Sequence, residues 1–132
     1  MRWLLDTDTC VWLLRGREAV VARVRAESPD DLALAAMTVA ELRFGARRSS
    51  EAERQHRMVD ALVSALADVL PFDADAAAVH AELRDALRAR PIGERDLVIA
   101  SIAVSNRLTL VTGNRREFER VPDLALADWS AA

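Results

Sequence analysis

The chain has 132 residues, of which 52% are hydrophobic, so it is long enough for a single globular domain with a buried core. Its formal net charge is −3, and all 18 of its basic residues are arginine. Without lysine, the protein cannot use a Schiff base or a P-loop, and with a mildly acidic charge it would need a local basic patch to bind nucleic acid.

The N-terminal sequence and the cysteine content indicate a compartment. The single cysteine, Cys10, has no partner for an intramolecular disulfide, and the first residues lack the pattern of a secretory signal. The longest apolar runs, residues 32–36 and 97–100, are far shorter than the roughly 18 residues of a membrane span. We therefore expect a soluble, cytoplasmic protein with no membrane contact.

The first third of the chain alternates strand and helix patterns. Residues 3–5 form a short apolar run that stops at Asp6, as in a buried parallel strand. Thr7, Asp8 or Thr9 is expected to cap the helical segment that follows. The next predicted elements are a helix over 18–26, a turn at 28–31 and a second strand over 32–36. After it, Thr38 is predicted to cap a helix, with Glu41 at the capping-box position.

The remainder of the chain continues this alternation. The patterns predict, in order, a helix ending near residue 69, an extended piece at 69–72, helices over 73–90 and 96–107, a strand at 108–112 and an edge strand at 124–127. Such alternation favours an α/β sandwich with a central, mostly parallel sheet, and we expect one domain over residues 1–132.

Polar residues stand where the predicted strands end. Asp6 follows the first strand directly, Glu41 follows the second, and Asp96 begins the helix before the third. Thr112, Asn114 and Glu117 come after the third strand. Because ligands of parallel α/β sheets bind at the carboxyl ends of the strands, we expect these side chains to share one rim.

Carboxylates that share a rim need a cation. Like charges a few ångströms apart repel by about 4 kcal/mol at an effective dielectric constant near 20. Oxygen ligands without histidine or cysteine favour a hard ion, Mg²⁺ or Mn²⁺. Such an ion is suited to phosphodiester hydrolysis.

Each of these residues also has a simpler interpretation. Asp6 and Asp96 are each able to act only as helix caps, Glu41 only as a capping-box glutamate, and Asn114 only as part of a turn. Their joint placement at successive strand ends favours a shared site, because independent caps have no reason to follow that order.

A second enzyme class is suggested by one short motif. Residues 6–9, D-T-D-T, are similar to the opening motif of haloacid dehalogenase-type phosphatases, with Asp8 as general acid. That family also requires a cationic residue, usually lysine, and a late acidic pair. This chain has no lysine and offers only Asn114 with Glu117, so we rank this alternative low.

Four longer blocks carry a more specific resemblance. They are L-L-D-T-D at 4–8, T-V-A-E-L-R-F-G at 38–45, P-I-G-E-R-D-L-V-I-A at 91–100 and L-T-L-V-T-G-N-R-R-E-F at 108–118. In order and spacing they resemble the motifs of PIN-domain ribonucleases of the VapC toxin type, and residues 121–129 are similar to the usual C-terminus of that group.

This resemblance implies a fold, an activity and partners. It implies a three-layer α/β/α sandwich and a metal-dependent endoribonuclease, the toxin of a toxin–antitoxin pair, acting on a structured RNA such as tRNA. The implied partner is a VapB-type antitoxin, and the toxin contacts DNA only through this antitoxin. The implied assembly is a homodimer or a hetero-oligomer with the antitoxin.

The resemblance also assigns roles to residues. The family's acidic site maps onto Asp6, Glu41 and Asp96, which would hold the ion, with Asn114 at a fourth position that is often aspartate. Thr112 and Glu117 would support the site. The arginines next to these residues in sequence are candidates for RNA binding: Arg43, Arg47, Arg95 and Arg115, with Arg48 and Arg116 beside them. Because of Asn114, a PIN-like binding or regulatory protein without catalysis is a second hypothesis.

Overall fold

A computed structural model describes residues 1–66 and 68–130. The strands are β1 (Trp3–Leu5), β2 (Leu32–Ala35), β3 (Asp68–Leu70), β4 (Thr109–Val111) and β5 (Leu126–Ala127). The helices are α1 (Thr7–Leu14), α2 (Glu18–Ala26), α3 (Ala36–Arg48), α4 (Ala52–Ala65), α5 (Ala74–Ala86), α6 (Glu94–Ser105) and α7 (Arg115–Phe118), with a 3-10 turn at Pro29–Asp31. None of the described helices has the length and apolar character needed to cross a membrane.

The five strands form one parallel sheet in the order β3-β2-β1-β4-β5. The central strand β1 places Leu4 beside Ala33 of β2 and Leu110 of β4. The predicted edge strand is β5, and the brief extended piece after α4 is the opposite edge, β3. Because every strand runs the same way, their carboxyl ends lie at one edge of the sheet.

Alternate residues of the strands pack into two cores, one on each face of the sheet. Leu4, Ala33 and Leu110 belong to a core that includes buried residues of α5, α6 and α7. Trp3, Leu34 and Val111 belong to the other, with buried residues of α1, α3 and α4. The expected three-layer α/β/α architecture is therefore confirmed.

Helix starts differ from the sequence-based expectations at three places. The first is α3, which begins at Ala36 directly from β2, with Ala35 as an N-cap that has no side-chain hydrogen bond. Thr38 lies inside the helix and is fully buried, so the predicted capping box of Thr38 and Glu41 is wrong. The strand leads into the helix without a break, which leaves the Glu41 carboxylate free for another partner.

The other two helix starts involve the candidate aspartates. Helix α1 is capped by Asp6, not by Thr7, Asp8 or Thr9. Helix α6 begins two residues before Asp96, with Gly93 as its N-cap, so Asp96 is a first-turn residue rather than a cap.

Candidate active site

Asp6 is held firmly at the carboxyl end of β1. Its backbone N–H donates to the Val111 carbonyl at 3.0 Å, and its carboxylate Oδ1 accepts from the Thr9 N–H at 2.8 Å. The residue is 4% exposed. Burial raises the pKa of Asp6, while hydrogen bonds from Thr112 and Thr9 act in the opposite direction. Asp6 is thus both a helix cap and a buried carboxylate.

Glu41 is oriented by a residue from another helix. The Thr7 hydroxyl, at the start of α1, donates to Glu41 Oε1 at 2.7 Å and lies 3.3 Å from the Thr38 hydroxyl. On its other side, the Arg95 guanidinium is 3.7 Å from Glu41 Oε2. Glu41 therefore lies between α1 and α6, at the rim where both helices begin.

Asp96 is the most electrostatically perturbed carboxylate of this rim. It is half-buried in the first turn of α6. Burial raises its pKa to about 6, with further contributions from the negative charges of Glu117, Glu41, Asp6 and Asp8. Acidic residues from three other segments of the chain therefore act on Asp96.

Glu117 joins α7 to the start of α6. Its Oε1 accepts from the Gly93 N–H at 2.9 Å, and its Oε2 lies 3.3 Å from the Asn114 amide nitrogen, which donates to it. The Asn114 N–H in turn donates to the Thr112 hydroxyl at 2.9 Å. Sequence reasoning missed this contact between Glu117 and Gly93, since the two residues are 24 positions apart and no local pattern connects them.

The loop that carries Asn114 is fixed by a tryptophan. A Cβ atom added at Gly113 would lie 2.4 Å from Cη2 of Trp12, so any larger residue here requires the ring to move. Trp12 is also covered by the Arg17 guanidinium, 4.7 Å from the ring centroid. The sequence-based interpretation of residues 113 and 114 as an ordinary turn did not detect this contact.

The donor set fits a hard divalent cation. In residues 1–66 and 68–130, no three histidine, cysteine, aspartate or glutamate side chains are gathered into a metal-binding group. The oxygen donors around Asp96 are nevertheless those that Mg²⁺ and Mn²⁺ prefer.

The structure separates the candidate RNA-binding arginines. Arg95 lies at the rim beside Glu41. Arg43 instead points to α4, where it donates to the His56 carbonyl at 3.1 Å and pairs with Asp60. Arg115 lies 3.6 Å from Glu119, and Arg47 is exposed on the last turn of α3. Only Arg95 contacts a predicted carboxylate ligand among these four.

Comparisons with known proteins place this arrangement in a family. The model of the PIN domain matches residues 3–124. The chain is 36% identical over 132 residues to the tRNA(fMet)-specific endonuclease VapC of Shigella flexneri, covering 98% of this chain and 99% of that protein.

Solved structures with the same fold point to the same group. A structure of DNA-bound VapBC from Salmonella typhimurium superposes with a TM-score of 0.91 at 32% identity, covering 98% of both chains. A structure of VapBC2 from Rickettsia felis bound to a promoter DNA fragment superposes with a TM-score of 0.90 at 31% identity, covering 98% of this chain and 99% of that one. With acidic residues at the carboxyl ends of a parallel sheet and these matches over nearly its whole length, the chain belongs to the PIN-domain family, in its VapC group.

Proposed function

We propose that this chain is a single-domain, metal-dependent endoribonuclease, the toxin of a VapBC-type pair, which hydrolyses phosphodiester bonds of a structured RNA such as tRNA. The observation that carries the proposal is the place of Asp96 at the sheet edge, where burial and the charges of acidic residues from three other segments raise its pKa to about 6. The VapC relative from Shigella flexneri is named for cleavage of tRNA(fMet), which supports a tRNA substrate.

Asp6, Glu41 and Asp96 would hold Mg²⁺ or Mn²⁺. When bound, such an ion stabilises negative charge on the phosphate and activates a water for in-line attack. The protein's own contribution is orientation. The Thr9 N–H fixes one carboxylate oxygen of Asp6, and the Thr7 hydroxyl fixes one oxygen of Glu41, so both acids are oriented by the protein itself.

We assign the fourth acidic position to Glu117, supported by Asn114. The charge of Glu117 is the largest contribution from any neighbouring charge to the raised pKa of Asp96. The Asn114 amide donates to Glu117 and the Asn114 N–H to Thr112, which links this side of the site to the end of β4. Asn114 stands where the family often has an aspartate. In this chain the Glu117 carboxylate would supply that charge, and Asn114 positions it.

The proposed partner is a cognate VapB-type antitoxin. Two of the most similar solved structures are VapBC proteins bound to DNA. We propose that this chain forms a homodimer or a hetero-oligomer with its antitoxin and meets DNA only through it. Because the proposed substrate is cellular RNA, we also propose that the protein acts in the cytoplasm.

The test is cleavage of a total tRNA pool by antitoxin-free protein in Mg²⁺ or Mn²⁺ and in EDTA. Asp6→Asn and Asp96→Asn should each reduce the cleavage rate by at least about a hundredfold, because each removes a charge needed for the ion. The matched control is Asp30→Asn, an exposed residue in the turn before β2, at the opposite edge of the sheet. Equal cleavage by the parent and both variants would refute the assignment.

The second candidate is a PIN-like binding or regulatory protein with weak catalysis, favoured only by Asn114. It predicts antitoxin binding without metal-dependent cleavage of any RNA by the freed protein. The phosphatase alternative is not retained, since the chain belongs to the PIN family and has no lysine.

A further inference from the structure

A shallow recess of about 310 Å³ adjoins the candidate active site on the surface of α3. We call it the α3 recess; its lining includes Met37, Ala40, Phe44 and Gly45, and it reaches the site through Glu41 and Arg95. Whatever occupies it is in contact with residues of the catalytic rim. Its volume is at the lower limit of small-molecule sites.

Phe44 exposes an aromatic ring at this position. Its side chain is 64% exposed, more than that of any other large hydrophobic residue in the described part of the chain. It follows Glu41 by three positions, so both side chains lie on one face of α3. A ring so exposed adds little to the core, and its placement beside the acidic rim needs another explanation.

Gly45 leaves open space next to this ring. It lies inside α3, where glycine is less favourable than alanine. A Cβ at Gly45 would meet nothing within 4 Å, and its backbone does not require a glycine. The fold therefore does not demand a glycine here, whereas close approach of a ligand to the helix would.

Arg95 supplies the positive charge of the recess. Its side chain is 69% exposed and lies 3.7 Å from Glu41. Exposed ion pairs of this kind contribute little to stability, so the guanidinium can exchange its partner for a phosphate at small cost.

We propose that the α3 recess binds an unpaired nucleotide of the RNA substrate next to the cleaved phosphodiester, with the base stacked on Phe44 and a phosphate on Arg95. An exposed aromatic ring beside an arginine is the combination that recognises single-stranded RNA. This inference rests on the proposed function. It makes Phe44 a substrate-binding residue outside the acidic group.

The test compares Phe44→Ala and Phe44→Trp with the parent protein. Phe44→Ala should raise the KM for tRNA about tenfold, with kcat changed less than about twofold, and Phe44→Trp should restore the KM. Gly45→Leu, which fills the recess, should raise the KM in the same way. The control is Phe72→Ala, which removes another exposed phenylalanine, one that packs against His80.

A binding measurement separates this inference from the proposed function. The affinity of each variant for a fluorescent single-stranded oligoribonucleotide is measured by anisotropy in EDTA, so that no cleavage is required. Weaker binding by Phe44→Ala and Gly45→Leu, with unchanged binding by Phe72→Ala, supports the recess even if the parent protein cleaves no RNA and the proposed function fails. If the KM and the RNA affinity of Phe44→Ala are unchanged, the inference is overturned. It is also overturned if Phe44→Ala loses only antitoxin binding or dimerisation, because the surface would then belong to a protein partner.

Discussion

The two aspartates of the candidate site are held in opposite ways. Asp6 is almost fully buried and caps α1 through the Thr9 N–H. Asp96 is half-buried, and the neighbouring acids and its burial all raise its pKa. Burial raises both pKa values, so ionisation of either carboxylate costs stability. Hydrogen bonds from Thr112 and Thr9 offset part of that cost at Asp6, whereas the neighbouring acids add to it at Asp96.

This difference indicates how the site is built. The side of the site formed by β1, α1 and the loop after β4 is determined by packing and hydrogen bonds. The side formed by the starts of α6 and α7 concentrates negative charge, which is unfavourable for folding and useful for holding a cation. Changes on the first side should therefore lower stability, and removal of charge on the second should raise it.

The largest expected effect on stability is at the packed side. Gly113→Ala places a methyl group against the Trp12 ring, which must move out of its packed position, and should lower the free energy of unfolding by about 2 kcal/mol. Urea denaturation measures this change. Gly45→Ala is the matched control, because a Cβ there meets open space, and it should not destabilise the protein. If Gly113→Ala were as stable as the parent, the Trp12 contact would not be what fixes this loop.

A smaller loss is expected at Asp6. Asp6→Ala removes the N-cap of α1 and should lower the free energy of unfolding by about 1 kcal/mol, whereas Asp6→Asn keeps an equally good cap. Both variants should be inactive, so a comparison of their melting temperatures isolates the cap from the catalytic role. Equal melting temperatures for the two would contradict the dual role assigned to Asp6.

The smallest effect, of opposite sign, is expected at Asp96. Its pKa is raised from 3.8 to about 6 in the folded protein, so its ionisation costs stability as the pH rises through that range. In EDTA at pH 7, Asp96→Asn should therefore be more stable than the parent by about 0.5 kcal/mol, after allowance for solvent screening of a half-exposed group.

The pH dependence and the response to metal check this assignment. As the pH falls well below 3.8, the Asp96 carboxyl group becomes neutral in the unfolded as well as the folded protein, and the difference in melting temperature should vanish. Added Mg²⁺ should stabilise the parent and raise its melting temperature. At a Mg²⁺ concentration ten times the Kd for the ion, the gain in the free energy of unfolding should be about 1.4 kcal/mol, and the gain for Asp96→Asn should be much smaller. A variant less stable than the parent at pH 7 in EDTA would show that Asp96 also supports the fold.

The sequence by itself determined the order of strands and helices and the placement of acids at the strand ends. The apolar run of β1 stops at Asp6, and the pattern over residues 18–26 matches α2 (Glu18–Ala26) at both ends. These features are local, since strand and helix periodicity depends on residues only a few positions apart. The positions of Asp6, Glu41 and Asp96 relative to the strands follow from them.

Only the tertiary structure decided how those acids are held. Glu41 is a capping-box residue by its spacing, yet its partner is Thr7, 34 positions away. Glu117 accepts a hydrogen bond from the Gly93 N–H at the start of α6, and Gly113 lies against the Trp12 ring. Each of these contacts joins segments that meet only after the sheet has formed, so no pattern within a single segment could reveal them.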